Sequence, residues 1–359
     1  FPGPATATGE DIAELHLHGG RAVVEAVLRT LATQPGLRAA TGGEFTRRAL
    51  HHGRIDLAQA QGLADLLEAE TEGARRAALA ATEGVLSRLI GTWLDRLSGI
   101  AALVEASLDH ADENDVTEDA ITRARAEAQA LREEMEAALS RPSVERLRDG
   151  ALVVIAGPTN AGKSSLFNAM LGRDAAIVTP IAGTTRDVLE AAVIREGLPF
   201  RLVDTAGLAR ETQDPVEAIG VERADHRVSH ADTVLWLGSP EAAPPRALPI
   251  HARADIRSPA PDGSVPVSVR DGDTIEVLWQ MLTQRHAASA SFDQAHFHER
   301  QRTSLVTTAF ELETFERSGD PLIGAEHLRR AHRQLASLLG LDATEAMLDA
   351  LFSRFCIGK

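Results

Sequence analysis

A phosphate-binding loop near the middle of the 359-residue chain constrains its fold more than any other feature. Residues 157–164 have the sequence GPTNAGKS, which matches the pattern G-x-x-x-x-G-K-S. The apolar run 151–156 before the loop predicts a buried strand, and residues 165–171 predict a helix. This strand–loop–helix order is the context in which the motif binds nucleotide phosphates. A chance glycine-rich turn is disfavoured because the whole motif and its context agree.

The residues of the loop have distinct predicted roles. Its glycines let backbone N–H groups curl round the phosphates, and the helix N-terminus adds partial positive charge. Lys163 can reach the β- and γ-phosphates, and the Ser164 hydroxyl can bind Mg²⁺. The predicted nucleotide-binding residues of the loop are Gly157, Asn160, Ala161, Gly162, Lys163, Ser164 and Ser165.

Two further motifs follow at the spacing typical of a GTPase. The sequence DTAG at residues 204–207 comes after an apolar strand, where Asp204 can orient Mg²⁺ through water and Gly207 can offer an N–H to the γ-phosphate. The sequence GTTRD at residues 183–187 lies between the motifs, and we assign Thr185 as the switch threonine of the Mg²⁺ shell. A plain threonine-rich turn is the alternative for that segment.

The guanine-reading motif N-K-x-D is altered in this chain. At its expected place, residues 252–255 are Ala, Arg, Ala and Asp. The Asp255 carboxylate can accept hydrogen bonds from guanine and the Arg253 stem can lie along the base, but the missing asparagine removes bonds that support the loop. We expect a guanine preference with reduced affinity. Residues 268–270 (SVR) stand where a second base-contacting loop is expected, also in altered form.

The side chain that orients the attacking water is not supplied by the DTAG motif itself, because Leu208 follows it where a glutamine could stand. Glu211 and Glu217 lie in the following segment and are the candidates. For either residue, a solvated charge in a switch loop is the alternative.

Composition limits the class of protein. A hydrophobic content of 44% and a charged content of 25% are ordinary for a soluble globular protein. The formal net charge of −15 argues against broad adhesion to nucleic acid or anionic membranes. The single cysteine excludes an internal disulfide and predicts a reducing, cytoplasmic location. No apolar run is long enough for a transmembrane helix, and no signal peptide is visible, so we predict no membrane association.

The predicted elements divide the chain into four segments. Residues 1–46 predict a partial α/β domain, and because the chain begins with Phe rather than Met we expect its start to be missing. Residues 47–147 and 289–359 predict helices, whereas residues 148–288 alternate strands and helices. The simplest architecture inserts the α/β domain into one helical domain formed by both flanks.

Periodicity predicts individual elements within these segments. Alternation over 11–18 predicts a half-buried strand, and helical spacing predicts one helix from Thr71 to about Leu108 and another over 118–139. The acidic segment 109–119 is predicted to be a solvated connection. The predicted strands of the α/β domain are residues 151–156, 189–194, 200–203, 233–237, 248–250 and 265–269.

Together these motifs resemble the MnmE family, also called TrmE, of tRNA-modifying GTPases. The resemblance covers almost the whole chain in family order, and the terminal sequence CIGK combined with a phosphate-binding loop in mid-chain is highly specific. The matching segments are residues 8–11, 18–20, 42–49, 56–60, 160–166, 181–187, 204–208, 219–224 and 352–359.

The resemblance implies a Ras-like α/β P-loop GTPase domain with a mostly parallel sheet, inserted into an all-α helical domain and preceded by a folate-binding α/β domain. It implies a homodimer through the N-terminal domains, and GTP hydrolysis activated when two GTPase domains meet with K⁺ between loop and switch. With an FAD-dependent, MnmG-like partner, the family installs an aminomethyl-type group at C5 of the wobble uridine of certain tRNAs. A methylenetetrahydrofolate supplies the carbon.

The resemblance also assigns residues. Glu217 matches the glutamate that orients the attacking water, which favours it over Glu211. Cys356 matches a cysteine tied to tRNA modification. The positions that match the K⁺ ligands are Asn160, Thr179, Ile181 and Thr184, and those that match the folate site are Glu14, Arg54 and Lys359.

Two alternatives to this function stay open from the sequence. An Era-like ribosome-assembly GTPase shares the GTTRD segment but needs an RNA-binding module that the sequence does not show. A non-catalytic nucleotide-binding relic fits the altered base motif, whereas the intact Lys163, Asp204 and Glu217 oppose it. For RNA contact, the candidate basic strip is Arg123, Arg125 and Arg132, with a solvated helix face as the alternative.

Overall fold

The computed structural model of the chain describes residues 1–109, 114–172, 189–205, 228–229, 231–244, 247–257, 259–287, 294–341, 345–353 and 355. Its helices are α1 (Arg21–Ala32), α2 (Glu44–His51), α3 (Leu57–Glu68), α4 (Glu72–Thr82), α5 (Val85–Asp109), α6 (Asn114–Leu139), α7 (Val144–Asp149), α8 (Lys163–Leu171), α9 (Gly272–Ala287), α10 (Glu299–Arg317), α11 (Pro321–Ser337) and α12 (Glu345–Phe352). Its strands are β1 (Ala151–Ala156), β2 (Leu189–Arg195), β3 (Leu198–Asp204), β4 (Thr233–Trp236), β5 (Ala247–Ala252) and β6 (Val265–Val267).

These elements form two units. The first contains residues 1–69, 75–141 and 293–359, and the second contains residues 70–74 and 142–292. The second unit is built on one sheet of order β2-β3-β1-β4-β5-β6. Only β2 and β3 pair antiparallel, and all other neighbours pair parallel. The predicted mostly parallel sheet and its six strands are therefore confirmed for the described residues.

The sheet explains why its strand sequences are so apolar. β1 is covered on both faces, and Val153, Val154 and Ile155 have no exposed surface. Trp279 of α9 packs edge-on against Phe200 of β3, with ring centroids 5.3 Å apart. Because β1 and β3 are parallel neighbours with Ile155 opposite Asp204, the segments that leave these two strands start at the same edge of the sheet.

The first unit has a helical core formed by α5, α6, α10 and α11. The stripe Ala124, Ala128, Leu131 and Met135 of α6 is fully buried, as its helical spacing predicts. Trp93 of α5 stacks on Phe297 with ring centroids 6.1 Å apart. A separate, smaller cluster joins α3 to α12 through residues such as Leu57, Ala60, Leu351 and Phe352.

Three predicted elements are wrong or incomplete. Residues 11–18 form no strand, and Leu15 and Leu17 are exposed, because no other described segment pairs with them as a sheet neighbour. The predicted helix from Thr71 to Leu108 breaks into α4 and α5, since Gly84 adopts φ +80°, a left-handed conformation that ends a helix. Helix α6 begins at Asn114, so the predicted connection 109–119 is partly helical.

The predicted basic strip on α6 is also corrected. Arg125 donates to the Ser318 carbonyl oxygen (2.6 Å), and Arg132 donates to the carboxylates of Glu316 (2.9 Å) and Glu136 (2.7 Å). Both arginines are half-buried in contacts between helices. Only Arg123 of the three is exposed, so the strip is neither a continuous RNA surface nor a solvated face.

Candidate nucleotide-binding site

The loop between β1 and α8 has the backbone shape that phosphate binding requires. Gly162, which caps the N-terminus of α8, adopts φ +102°, and Asn160 adopts φ +59°. Gly157 adopts φ +145°, and a Cβ added there would lie 3.1 Å from the Leu237 carbonyl carbon. Side chains at the two glycine positions would strain the backbone, so the sequence of the loop follows from its geometry.

Lys163 lies across this loop. The residue is 7% exposed, and its Nζ donates to the carbonyl oxygens of Gly157 and Pro158, each at 2.8 Å. Burial lowers the pKa of the Lys163 ammonium, and the negative charge of Asp204 opposes that shift in part. The ammonium is thus held at the mouth of the loop by two carbonyl bonds, from which it can be exchanged onto phosphate oxygens.

Asp204 ends β3 beside the start of the loop. It is fully buried, and the next residue, Thr205, donates from Oγ1 to the Ile155 carbonyl oxygen at 2.9 Å. This bond ties the beginning of the DTAG segment to the end of β1, just before the phosphate loop. The fold therefore brings Asp204 and the Lys163–Ser164 end of the loop to one edge, as the motif spacing predicts.

A cavity of about 320 Å³ lies on the other side of the loop, next to the altered base-reading motif. The N-terminal turn of α8 forms one wall, and the segments that follow β5 and β6 form the other. The lining residues are Gly162, Ser165, Leu166, Ile250, Ala252, Arg253, Asp255, Ile256, Val267, Val269 and Arg270. The volume falls within the usual range for small-ligand pockets, roughly 300–1,000 Å³.

Two hydrogen bonds hold the base-side loops together. The Ser268 hydroxyl, which is buried, donates to Asp255 Oδ1 at 2.9 Å. The Ala254 N–H donates to the Val267 carbonyl oxygen at 3.2 Å. The loops after β5 and β6 therefore stay joined without the asparagine of the standard motif. Arg270 Nη1 lies 3.8 Å from Asp255 Oδ2, and its side chain is 82% exposed.

Sequence reasoning named Asp255 and Arg253 but missed the apolar part of this cavity. Val269 and Ile256 are exposed and line it, and Leu166 lines it from α8. The position of Val269 inside the second base-contacting loop was the available signal. An apolar lining with a single carboxylate suits a flat heterocycle that offers N–H groups along one edge.

Several predicted site residues lie outside the described residues. They are Thr179, Ile181, Thr184, Thr185, Gly207, Glu211, Glu217, Cys356 and Lys359. Of the predicted folate positions, Glu14 is exposed and lies 3.3 Å from His16, and Arg54 is an exposed residue shortly after α2. The assignments of these positions stay predictions.

Family models match both parts of the chain. The N-terminal model described as GTP-binding protein TrmE N-terminus matches residues 1–54, and the MnmE helical domain matches residues 57–356. The chain belongs to the MnmE family. Because the chain also contains the phosphate-binding loop, its membership of the MnmE family identifies it as a P-loop GTPase.

Curated relatives in the MnmE family support the same assignment at full length. The tRNA modification GTPase MnmE of Rhizorhabdus wittichii is 52% identical over 363 residues, which cover 100% of this chain and 82% of that protein. The proteins of the same name from Erythrobacter litoralis and Sphingopyxis alaskensis are 50% and 47% identical and are covered to 85% and 89%.

Solved structures are more distant from this MnmE-family chain. Aquifex aeolicus Era bound to GDP and AlF4⁻ is 20% identical, with a TM-score of 0.27 over 48% of this chain and 69% of that one. The cytosolic domain of the T. maritima FeoB iron transporter is 18% identical, with a TM-score of 0.26 over 52% of this chain and 97% of that one. Among the residues that the structure describes, no helix is both long and apolar enough to span a membrane.

Proposed function

We propose that this chain hydrolyses GTP in a cycle that drives modification of the tRNA wobble uridine at C5, together with an FAD-dependent, MnmG-like partner. The observation that carries the proposal is a phosphate-binding loop with Lys163 and the buried Asp204 beside it, in a chain 52% identical over its full length to a tRNA modification GTPase. The cycle of GTP hydrolysis would then drive a conformational change and would not be the chemical step of the tRNA modification. An Era-like role is disfavoured because the MnmE helical model extends over residues 57–356.

Mg²⁺ fits the oxygen donors at the sheet edge. Ser164 contributes a hydroxyl in the first turn of α8, and Asp204 contributes a fully buried carboxylate, and such oxygens are the usual ligands of Mg²⁺. Thr185 is the second predicted ligand beside Ser164, and Asp204 is predicted to orient the metal through water. A metal held there would neutralise charge that develops on the phosphates. Lys163 holds the β- and γ-phosphate oxygens, Asp255 reads the base, and Glu217 orients the attacking water.

K⁺ is proposed as the activating cation, bound by Asn160 with Thr179, Ile181 and Thr184 when two GTPase domains meet. Of these four residues the structure describes Asn160, whose exposed side chain stands at the rim of the loop with φ +59°. A monovalent cation at that rim would supply the positive charge that an arginine finger supplies in other GTPases. The homodimer, and a tetrahydrofolate derivative bound by Glu14, Arg54 and Lys359, belong to the same proposal, as does Cys356 as a residue of the modification chemistry.

The proposed domain boundaries are those of the sequence analysis. Residues 1–46 belong to the folate-binding and dimerisation domain, residues 148–288 form the GTPase domain, and residues 47–147 with 289–359 form the helical domain.

Three experiments test the proposed function. GTP hydrolysis by the full chain should rise sharply when K⁺ replaces Na⁺ at equal ionic strength, and equal rates in both salts would contradict the K⁺ mechanism. Deleting the gene should remove the C5 modification of wobble uridines, measured by mass spectrometry of digested tRNA. Unchanged modification would contradict the tRNA role. Competition of labelled GTP with ATP and XTP measures the base preference. No preference for GTP would favour the alternative of a non-catalytic nucleotide-binding relic.

A further inference from the structure

Among the helices that the structure describes, α11 carries the largest positive charge. It contains three arginines, Arg329, Arg330 and Arg333, against one acidic residue, Glu326. Three positive charges and one negative charge leave a formal balance of +2, in a chain whose net charge is −15. A local excess of this sign needs a physical reason, because other arginines of the same unit, such as Arg96 and Arg132, each pair with two carboxylates.

The Glu326 carboxylate is the salt-bridge partner of all three arginines of α11. Glu326 lies 3.9 Å from Arg329, 3.1 Å from Arg330 and 3.7 Å from Arg333. The hydrogen bond from Arg330 is the main cause that lowers the pKa of Glu326, so the carboxylate is charged at neutral pH. One negative charge offsets one arginine, and the three side chains remain 65%, 51% and 68% exposed. Two positive charges therefore face solvent on this helix.

The opposite proportion holds for Arg96 of α5 and Arg132 of α6. Arg96 binds both Glu127 and Glu134 and is 26% exposed. Arg132 binds both Glu136 and Glu316 and is 20% exposed. These side chains form salt bridges between helices, whereas the arginines of α11 outnumber their carboxylate partner and are exposed to solvent. The helices α5 and α6 thus offer no comparable anion surface at these positions.

A groove runs beside the arginines. Its cavity, about 400 Å³, is lined by Arg330, Arg333, Gln334 and Ser337 of α11 and by Glu311 of α10. Glu311 is 12% exposed at its side chain, and its Oε2 lies 2.6 Å from His327 Nδ1, so that carboxylate is engaged at the base of the groove. The other polar groups of the lining are the guanidinium groups of Arg330 and Arg333, the Gln334 amide and the Ser337 hydroxyl, each of which can donate hydrogen bonds.

The spacing of these residues places them on one face of the helix. Arg329 and Arg333, and likewise Arg330 and Gln334, are four residues apart and therefore adjacent, with Cβ atoms roughly 5–6 Å apart. The face from Arg329 to Ser337 is about 12 Å long at a rise of about 1.5 Å per residue. A row of guanidinium groups of this length suits a chain of regularly spaced anions better than one small ion.

We propose that the α11 arginine surface, defined as Arg329, Arg330, Arg333 and Gln334, binds the phosphodiester backbone of tRNA. Guanidinium groups bind phosphate oxygens through paired, charge-assisted hydrogen bonds. The groove lining contains no apolar or aromatic residue, whereas protein–protein interfaces are anchored by such side chains. Contacts of this kind position an RNA without reading its sequence. The proposal rests on the tRNA role proposed above and adds the surface that holds the RNA.

The test compares two double variants of the full chain. Arg330→Gln with Arg333→Gln removes two charges from the α11 arginine surface. The matched control, Arg123→Gln with Arg317→Gln, removes two charges from exposed arginines of the same unit, where Arg317 is 76% exposed and pairs with Glu313. The dissociation constant of an unmodified tRNA transcript is measured by fluorescence anisotropy at several salt concentrations. GTP hydrolysis without RNA is measured in parallel as a check on folding.

We expect the α11 variant to bind tRNA about tenfold more weakly at low salt, with a salt slope reduced by about 1.4–1.8 because two phosphate contacts are lost. The control should stay within about twofold of wild type. A photocrosslinking amino acid at Gln334 should label tRNA in the wild-type background. The proposal would be overturned if both variants bound tRNA equally weakly, or if the α11 variant bound tRNA as tightly as wild type. It would also be overturned if the α11 variant lost binding to the flavoprotein partner and kept its tRNA affinity. Absence of tRNA binding by wild type would overturn it too, while K⁺-dependent GTP hydrolysis tests the GTPase proposal separately.

Discussion

Replacing Ser268 by alanine tests how the base half of the nucleotide site works. The Ser268 hydroxyl donates to Asp255 Oδ1 at 2.9 Å and accepts the Arg270 N–H at 3.2 Å. Ser268 is only 3% exposed, so water would not readily take the place of the lost hydroxyl. The substitution should therefore let the Asp255 carboxylate rotate away from the position in which it faces the cavity.

The size of the effect follows from the bond that is lost. A hydrogen bond to a charged group contributes about 1.5–3 kcal/mol. The Asp255 side chain is 31% exposed, which lets solvent compensate in part, so the lower end of that range applies. A loss of about 1.4 kcal/mol corresponds to a tenfold rise in the dissociation constant. We expect GTP to bind Ser268→Ala about tenfold more weakly than wild type.

The assay compares GTP with ITP by isothermal titration calorimetry. ITP lacks the exocyclic amine, so a carboxylate that accepts from both N1–H and the amine should favour GTP in the wild type. Ser268→Ala should reduce GTP affinity more than ITP affinity. Ser264→Ala is the matched control, because the Ser264 hydroxyl donates to the Pro261 carbonyl oxygen at 2.6 Å and does not line the cavity. Equal losses for GTP and ITP, or no loss for either, would refute the role of Ser268 in positioning Asp255.

Three further outcomes are expected. Glu217→Ala should keep GTP binding, measured by calorimetry, and lose turnover, measured by phosphate release; unchanged turnover would return Glu217 to a solvated charge. Gly157→Ala should lower the unfolding free energy by about 1–3 kcal/mol and weaken GTP binding, because φ is +145° and the new Cβ meets backbone at 3.1 Å. Gly197→Ala, at φ +77° in open space, controls for backbone strain alone, and a loss as large there would contradict the steric reasoning. Burial, aided by the charges of Arg285 and Arg146, lowers the pKa of His286 to about 4. The folded state thus favours neutral His286, and unfolding free energy should fall by about 1–2 kcal/mol, after discounting for solvent screening, as pH drops from about 6.5 towards 4. Urea titrations of wild type and His286→Gln across that range check this, and identical pH slopes would contradict it.

The GTPase unit was predictable because its signals are local. The inner strands β1, β3 and β4 contain buried runs and are short apolar segments, so they were recognisable one at a time. The phosphate loop is specified by glycines at positions with positive φ, and the motif therefore carries its own geometry. Lys163 followed from its place at the start of the helix after the loop, and Asp204 from its place at the end of β3.

The failed predictions depended on neighbours that the sequence does not name. Residues 11–18 alternate as a strand does, but alternation yields a strand only where a partner strand accepts its hydrogen bonds. Gly84 could have continued a helix at modest cost, and the structure uses it instead as a left-handed break between α4 and α5. Neither outcome is written in the local pattern.

By itself, the sequence determined the family, the GTPase fold and the phosphate-binding loop, because motif spacing and strand burial are properties of short segments. Only the tertiary structure decided which arginines form salt bridges between helices and which remain exposed to solvent. Arg132 and Arg330 look alike in sequence, yet one is shared by two carboxylates between helices and the other shares one carboxylate on an open face. The same holds for Ser268, whose hydroxyl meets Asp255 from a different strand end. The contacts of Arg132 with Glu316 and of Ser268 with Asp255 join separate segments of the chain, and periodicity carries no information about them.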